Sequence, residues 1–179
     1  MEITPERLVE LKTVTPEGLE KLKEIANSDA DVIITGNHGS GKTTLAKIIL
    51  SLIDKDILVA LVGFKETVTP YKHHYKEYNS IDDLLEDNIR HSIVLIDNHY
   101  IFDWDKLKKI KGRKIIITIN PHVEREIKKL DELPRDVYII RMRQMKDPSI
   151  TRSYAKVITS IKRIDRYTGE VKTIYTHKL

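Results

Sequence analysis

One octapeptide in the sequence has residue types and a spacing that prescribe a chemistry. Gly36-Asn37-His38-Gly39-Ser40-Gly41-Lys42-Thr43 fits the pattern G-x-x-x-x-G-K-[ST] at every fixed position. Glycines at these places let the backbone turn tightly, so that successive N–H groups point at one anion beside the positive end of a helix. The expected ligand is a nucleoside polyphosphate. Lys42 is placed to reach its β- and γ-phosphates and the Thr43 hydroxyl to coordinate Mg²⁺, with Thr44 completing the binding set.

Ile93-Val94-Leu95-Ile96-Asp97 is an apolar run that ends in a carboxylate. Beside a phosphate loop such an Asp holds Mg²⁺, often through water, which makes Asp97 the second metal residue after Thr43. Ile117-Thr118-Ile119-Asn120 ends the next run in polar groups. Asn120 is the candidate to sense the γ-phosphate or orient water, and it can also cap the helix that follows. No N-K-x-D guanine signature occurs, so the expected base is adenine and the expected pair is ATP with Mg²⁺.

The elements that must position these residues follow from capping and periodicity. Thr4-Pro5-Glu6 and Thr15-Pro16-Glu17 each set a capping hydroxyl before a proline suited to the first helical position, which predicts helices over 5–12 and 16–27. Asp31–Thr35 reads as a buried strand. From Lys42 the period becomes helical, with Leu45, Ile48, Ile49, Leu52 and Ile53 on one face. Ile57–Phe64 reads as a second strand and 65–79, polar and aperiodic, as a loop. Ser80 with Asp83 forms an acidic capping box before a helix to about Ile89.

Ile93–Ile96 is a third strand, 104–111 a short helix and Lys114–Ile119 a fourth strand. Asn120-Pro121 opens a helix with Val123, Ile127 and Leu130 on one side. Strands that alternate with helices predict a mainly parallel α/β sheet, here of the RecA-like phosphate-loop class. After Pro134 the pattern changes: Val137–Met142, 154–166 and 171–177 read as antiparallel strands, with Thr168-Gly169 at a turn. The expected organisation is a helical lead-in (1–30), a nucleotide-binding core (31–135) and a basic β extension (136–179).

With 40% hydrophobic and 32% charged residues, the 179-residue chain is too apolar for disorder and too evenly charged for a membrane protein. No apolar run reaches the roughly 18–20 residues of a membrane span, and MEITPERLVE lacks the basic and apolar regions of a signal peptide. A cytoplasmic location is expected. The chain has no cysteine, which excludes disulfides, thiolate metal sites and a cysteine nucleophile. The net charge of +4 is uneven: residues 141–179 carry +7 and residues 1–140 carry −3. One glutamine against 26 isoleucines, with abundant Lys and Glu, is a thermophile-like bias.

The whole chain resembles the ATPase half of the secretion and pilus traffic ATPases, the type II/type IV secretion superfamily, closest to its Tad and conjugation-type branch. ERLVELKTVTPEGLEKLKEIANSDADVIITGNHGSGKTTLAKIIL is similar to that branch's lead-in and phosphate loop. YNSIDDLLEDNIRHSIVLID is similar to the segment entering its second acidic motif, and DVYIIRMRQ with SYAKVITSIKRIDRYTGEVKTIYTH to its C-terminal strands. The resemblance implies a hexameric ring that hydrolyses ATP between subunits to move a macromolecular cargo. It places the family's catalytic glutamate in Phe64-Lys65-Glu66-Thr67, with Glu66 as the candidate general base. Where the family has Gly-Glu this chain has Ile96-Asp97, and where it has Thr-x-His this chain has Thr118-Ile119-Asn120. The family's N-terminal domain has no counterpart in these 179 residues. Such departures weigh on hydrolysis more than on nucleotide binding, which depends on the loop and Lys42.

Three further constellations have simpler readings. Adjacent His73 and His74 point to opposite sides of an extended chain, as in a solvated loop, rather than to one metal. Tyr100, Phe102 and Trp104 read as packing residues. Arg141, Arg143 and Arg152 read as surface or ion-paired arginines, one of which could serve a neighbour's γ-phosphate as an arginine finger. Two other functions fit the same loop. One is a small-molecule kinase, with Arg141–Arg152 in place of a lid. The other is a nucleotide-gated protein with weak or no hydrolysis that grips nucleic acid through residues 141–179.

Overall fold

In the structure, a computed structural model that describes residues 4–64, 73–97, 104–110, 114–120, 135–146 and 154–177, both Thr-Pro-Glu sequences start helices. Thr4 Oγ1 accepts from the Arg7 N–H at 3.3 Å ahead of α1 (Pro5–Glu10), and Thr15 Oγ1 accepts from the Gly18 N–H at 3.2 Å ahead of α2 (Pro16–Asn27). Proline in the first turn forfeits no hydrogen bond there. The α2 face carrying Leu19, Leu22, Ile25 and Ala26 is buried.

Eight strands form one sheet: β1 (Asp31–Thr35), β2 (Leu58–Val62), β3 (His74–Tyr78), β4 (Ile93–Asp97), β5 (Lys114–Ile119), β6 (Val137–Lys146), β7 (Tyr154–Ile164) and β8 (Val171–Thr176). Their order is β3-β2-β4-β5-β1-β6-β7-β8. Pairings from β3 through β6 are parallel, and β6–β7 and β7–β8 are antiparallel. The helices α3 (Lys42–Ser51), α4 (Ile81–Glu86) and α5 (Trp104–Lys109) complete the described elements.

The central strands are apolar on both faces because both faces are covered. Val32, Ile34, Leu95, Ile116 and Ile140 pack with Leu22 and Ile25 of α2 and with Leu45 and Ile49 of α3. Ile33, Ala60, Val94, Ile96, Ile115 and Ile117 form the opposite core with Leu84 and Leu107. Each buried Val, Leu or Ile among them contributes about 1.5–3 kcal/mol by leaving water. No helix among the described residues is long and apolar enough to cross a membrane.

Most expected elements form with small shifts in their ends. The Ser80–Asp83 capping box is present in both directions, each bond at 3.1 Å. Its helix ends at Glu86 rather than about Ile89. Asp87 turns extended, accepting from Lys76 Nζ at 2.6 Å, from the Tyr78 hydroxyl at 2.5 Å and from the Ile89 N–H at 3.1 Å.

The segment 65–79 is not all loop: His74–Tyr78 is the edge strand β3, parallel to β2. An edge strand that buries only Tyr78 within its own span shows no apolar alternation, which hid it. His73 is likewise not solvated. It is buried, with Nε2 3.0 Å from the Leu50 carbonyl oxygen, while His74 is exposed on the other side. β6 extends four residues beyond the expected Met142, because its far half pairs with β7 as far as Lys146 and Tyr154. Glu66, Tyr100, Phe102, Val123, Ile127, Leu130 and Arg152 lie outside the described residues.

Candidate nucleotide-binding site

The parallel pairing brings the C-terminal ends of β1, β4 and β5 to one edge of the sheet, the edge where α/β proteins place ligands. β5 lies between β1 and β4, so the loop after Thr35 and the carboxylate of Asp97 face each other across the end of β5.

The loop's glycines are required by its surroundings. A Cβ on Gly36 would stand 2.5 Å from the Met142 carbonyl oxygen and 2.6 Å from Ser40 Oγ. Gly39 and Gly41 have φ of +77° and +91°, in the left-handed region open to glycine. Gly41 is the N-cap residue of α3 and makes no side-chain cap, so the first amides of that helix are not capped by a side chain.

Lys42 is buried and turns back on its own loop. Its ammonium donates to the Gly36 carbonyl at 2.8 Å and to the Asn37 carbonyl at 2.9 Å. Burial pushes its pKa down, and the nearby Asp97 charge acts in the opposite direction. Thr43 Oγ1 donates to Asp97 Oδ2 at 3.3 Å, and Thr118 Oγ1 donates to Asp97 Oδ1. The carboxylate is therefore steadied by two neutral hydroxyls. The Ser40 and Thr35 hydroxyls are buried and have no hydrogen-bond partner among the described residues.

A cleft of about 430 Å³ opens between Thr35, Gly36 and Asn37 on one side and Arg141–Gln144 of β6 on the other. Among the described residues no group of three or more His, Cys, Asp or Glu is arranged to hold a metal.

Of the residues expected from the sequence, Gly36 through Thr44 and Asp97 come together, and Asn120 follows directly on β5 at the same edge. His38 is exposed on the loop. Four contributors lie beyond the expectations from sequence. In the sequence Thr118 reads only as part of a polar strand end, and its alternation with Ile117 and Ile119 is the signal that it shares a face with Asp97, its register partner. The Met142 carbonyl against Gly36, and the side chains of Gln144 and Lys156 near Gly39 and Gly41, depend on the pairing of β6 with β1 and β7. Nothing local in the sequence announces that pairing.

A phosphate loop between a central parallel strand and a helix, faced by a strand-end carboxylate across one intervening strand, defines a P-loop NTPase. Residues 14–153 match the family nSTAND3, Novel STAND NTPase 3, and the chain belongs to that family. No curated protein matches the chain. Among solved structures the fold is similar to the VirB11 ATPase of the Brucella suis type IV secretion system, crystallised in complex with sulphate. The TM-score is 0.57 and the identity 16%, over 87% of this chain and 54% of that one. It is also similar to the flagellar accessory protein FlaH from Methanocaldococcus jannaschii, with a TM-score of 0.53 and 13% identity over 93% of this chain and 87% of that one. The chain thus spans about half the length of the VirB11 chain. These likenesses carry the fold and bear out the expected P-loop class with antiparallel C-terminal strands. The family match is to nSTAND3 and gives no support to the Tad and conjugation branch in particular.

Proposed function

We propose that the protein binds ATP with Mg²⁺ at the loop 36–44, hydrolyses it, and couples the cycle to movement or assembly of a macromolecule. The observation that carries the reading is the approach of Thr43 to Asp97 at 3.3 Å beside a lysine whose ammonium bonds the loop carbonyls of Gly36 and Asn37. The residues fit the ligand. At the loop stand the buried Thr35 and Ser40 hydroxyls, without partners among the described residues, a glycine where any Cβ would collide, and the Lys42 ammonium. Thr43 and Asp97 are hard oxygen donors of the kind Mg²⁺ prefers.

On binding, Lys42 would exchange the Gly36 and Asn37 carbonyls for phosphate oxygens. Thr43 and Asp97 would hold Mg²⁺, which neutralises charge on the β- and γ-phosphates. Thr118 keeps the Asp97 carboxylate oriented. Asn120 would orient the attacking water, and Glu66 is the candidate to accept its proton. Coupling is supported by the seat of Gly36 on Met142: a change in the loop bears directly on β6 and so on the basic strands beyond it.

Phosphate release from Mg-ATP, followed together with light scattering, tests this. Turnover by a nucleotide-dependent hexamer supports the motor reading, and absence of turnover in the wild type overturns hydrolysis. A second reading, a nucleotide-gated nucleic-acid binder, is favoured by the exposed cations Arg143, Lys146 and Lys156 on β6 and β7. It predicts nucleic-acid binding that collapses between low and moderate salt.

A further inference from the structure

The β6–β7 ribbon changes character where it reaches the phosphate loop. Met142 and Ile158 are register partners, and both are buried in the core that contains Leu45 and Ile49 of α3. Two residues further along each strand, on the same face by the alternation of a β-strand, stand Gln144 and Lys156, again register partners. There the ribbon passes from packing on α3 to flanking the loop. A Cβ on Gly41 would lie 3.1 Å from Lys156 Cδ and 3.5 Å from Met142 Cε, and one on Gly39 would lie 3.9 Å from Gln144 Oε1. The Lys156 stem therefore runs along Gly41, which leaves its ammonium, two bonds beyond Cδ, within short reach of the loop. The side chain is exposed, and among the described residues it pairs with no carboxylate.

A long cation laid against a loop that already holds Lys42 is disfavoured by like charge. That cost is recovered when a polyanion occupies the loop. We propose that Lys156, positioned by Met142 and Gln144, is a nucleotide-contacting residue supplied by the C-terminal strands, its ammonium bonding a phosphate oxygen of a nucleoside polyphosphate held in the loop 36–44. The proposal rests on the nucleotide-binding reading above. It gives the basic extension a direct part in sensing whether the loop is filled.

Titration of MgATP into the wild type, Lys156→Met, Lys156→Arg and Lys42→Ala tests it. Methionine keeps the stem against Gly41 and removes only the charge, so folding is preserved and is checked by the melting temperature. Lys156→Met is expected to weaken MgATP binding about 5- to 20-fold, in keeping with loss of one charge-assisted hydrogen bond. Lys156→Arg is expected to restore affinity to within about 2-fold. The gap between wild type and Lys156→Met should narrow as salt rises, because a partly exposed charge is screened, whereas a packing defect would not respond. If Lys42→Ala abolishes binding while Lys156→Met binds like the wild type, this proposal is overturned and the nucleotide reading stands. If Lys42→Ala has no effect, the nucleotide reading itself fails.

Discussion

Thr43 Oγ1 donates a 3.3 Å hydrogen bond to Asp97 Oδ2, joining the first turn of α3 to the last residue of β4 across 54 positions of sequence. The second carboxylate oxygen is held by Thr118. Both contacts arise from parallel pairing about β5, which brings strand ends together irrespective of distance along the chain. Asp97→Asn keeps the shape and removes the charge. It should leave nucleotide affinity without Mg²⁺ within about 3-fold of wild type and remove most of the gain that Mg²⁺ gives, since a neutral amide is a poor ligand for a hard cation. Equal Mg²⁺ enhancement in both proteins would remove Asp97 from the metal site.

Gly36→Ala tests the seat of the loop on β6. The obstructing atom is the Met142 carbonyl oxygen, part of a backbone paired to β7 that cannot swing aside as a flexible side chain would. Overpacking of this kind costs roughly 1–3 kcal/mol. Urea denaturation should show that loss, with weaker nucleotide binding. A variant as stable and as tight-binding as wild type would contradict the close approach.

Lys114 plays a structural part at the opposite end of the sheet. Its buried ammonium donates to the carbonyls of Ile25, Ala26 and Ser28 at 2.6, 3.0 and 2.7 Å, closing the C-terminal end of α2. Lys114→Met leaves those acceptors without their charged donor and should cost about 2–3 kcal/mol. Nucleotide affinity should change little, because the residue lies at the start of β5 and the site at its end. An unchanged urea midpoint would count against the cap.

Asp31, buried beside Lys114 and Arg135, gives stability a pH dependence. Burial pushes its pKa up to about 6, against the opposing hydrogen bond from the Ile115 N–H and the charges of Arg135 and Lys114. The folded value lies above the unfolded value of about 3.9. The native state therefore holds this proton more tightly, and the stability linked to it is full below about pH 4 and lost as pH rises to about 6. The change is bounded at roughly 3 kcal/mol. Lys114 has the opposite displacement, pushed down to about 8 chiefly by burial, so its contribution returns as pH rises from about 8 toward 10. Asp31→Asn should flatten stability between pH 4 and 6. The same fall in wild type and variant would assign it elsewhere.

Much of this was legible in the sequence, for local reasons. Thr4, Thr15, Ser80 and Asp83 cap helices through bonds spanning three residues, so a four-residue window suffices to see them. The run DVIIT is apolar on both faces because β1 is central, and the loop after it is specified by its own glycines and Lys42. β3 was invisible because an edge strand need not bury alternate residues. Lys114, read only as the first residue of a strand, serves a helix 86 to 89 positions away. Lys156 meets Gly41 only after β6 has joined β1 and β7 has joined β6. Partnership set by pairing order leaves no trace in spacing.

The account depends most on Lys42, and titration of Mg-ATP by calorimetry into the wild type and Lys42→Ala tests it most directly. Saturable binding to the wild type and a loss of at least 10-fold in the variant, with an unchanged melting temperature without nucleotide, is the predicted result. Equal affinity in the two proteins, or no binding to the wild type, would contradict a nucleotide site at this loop.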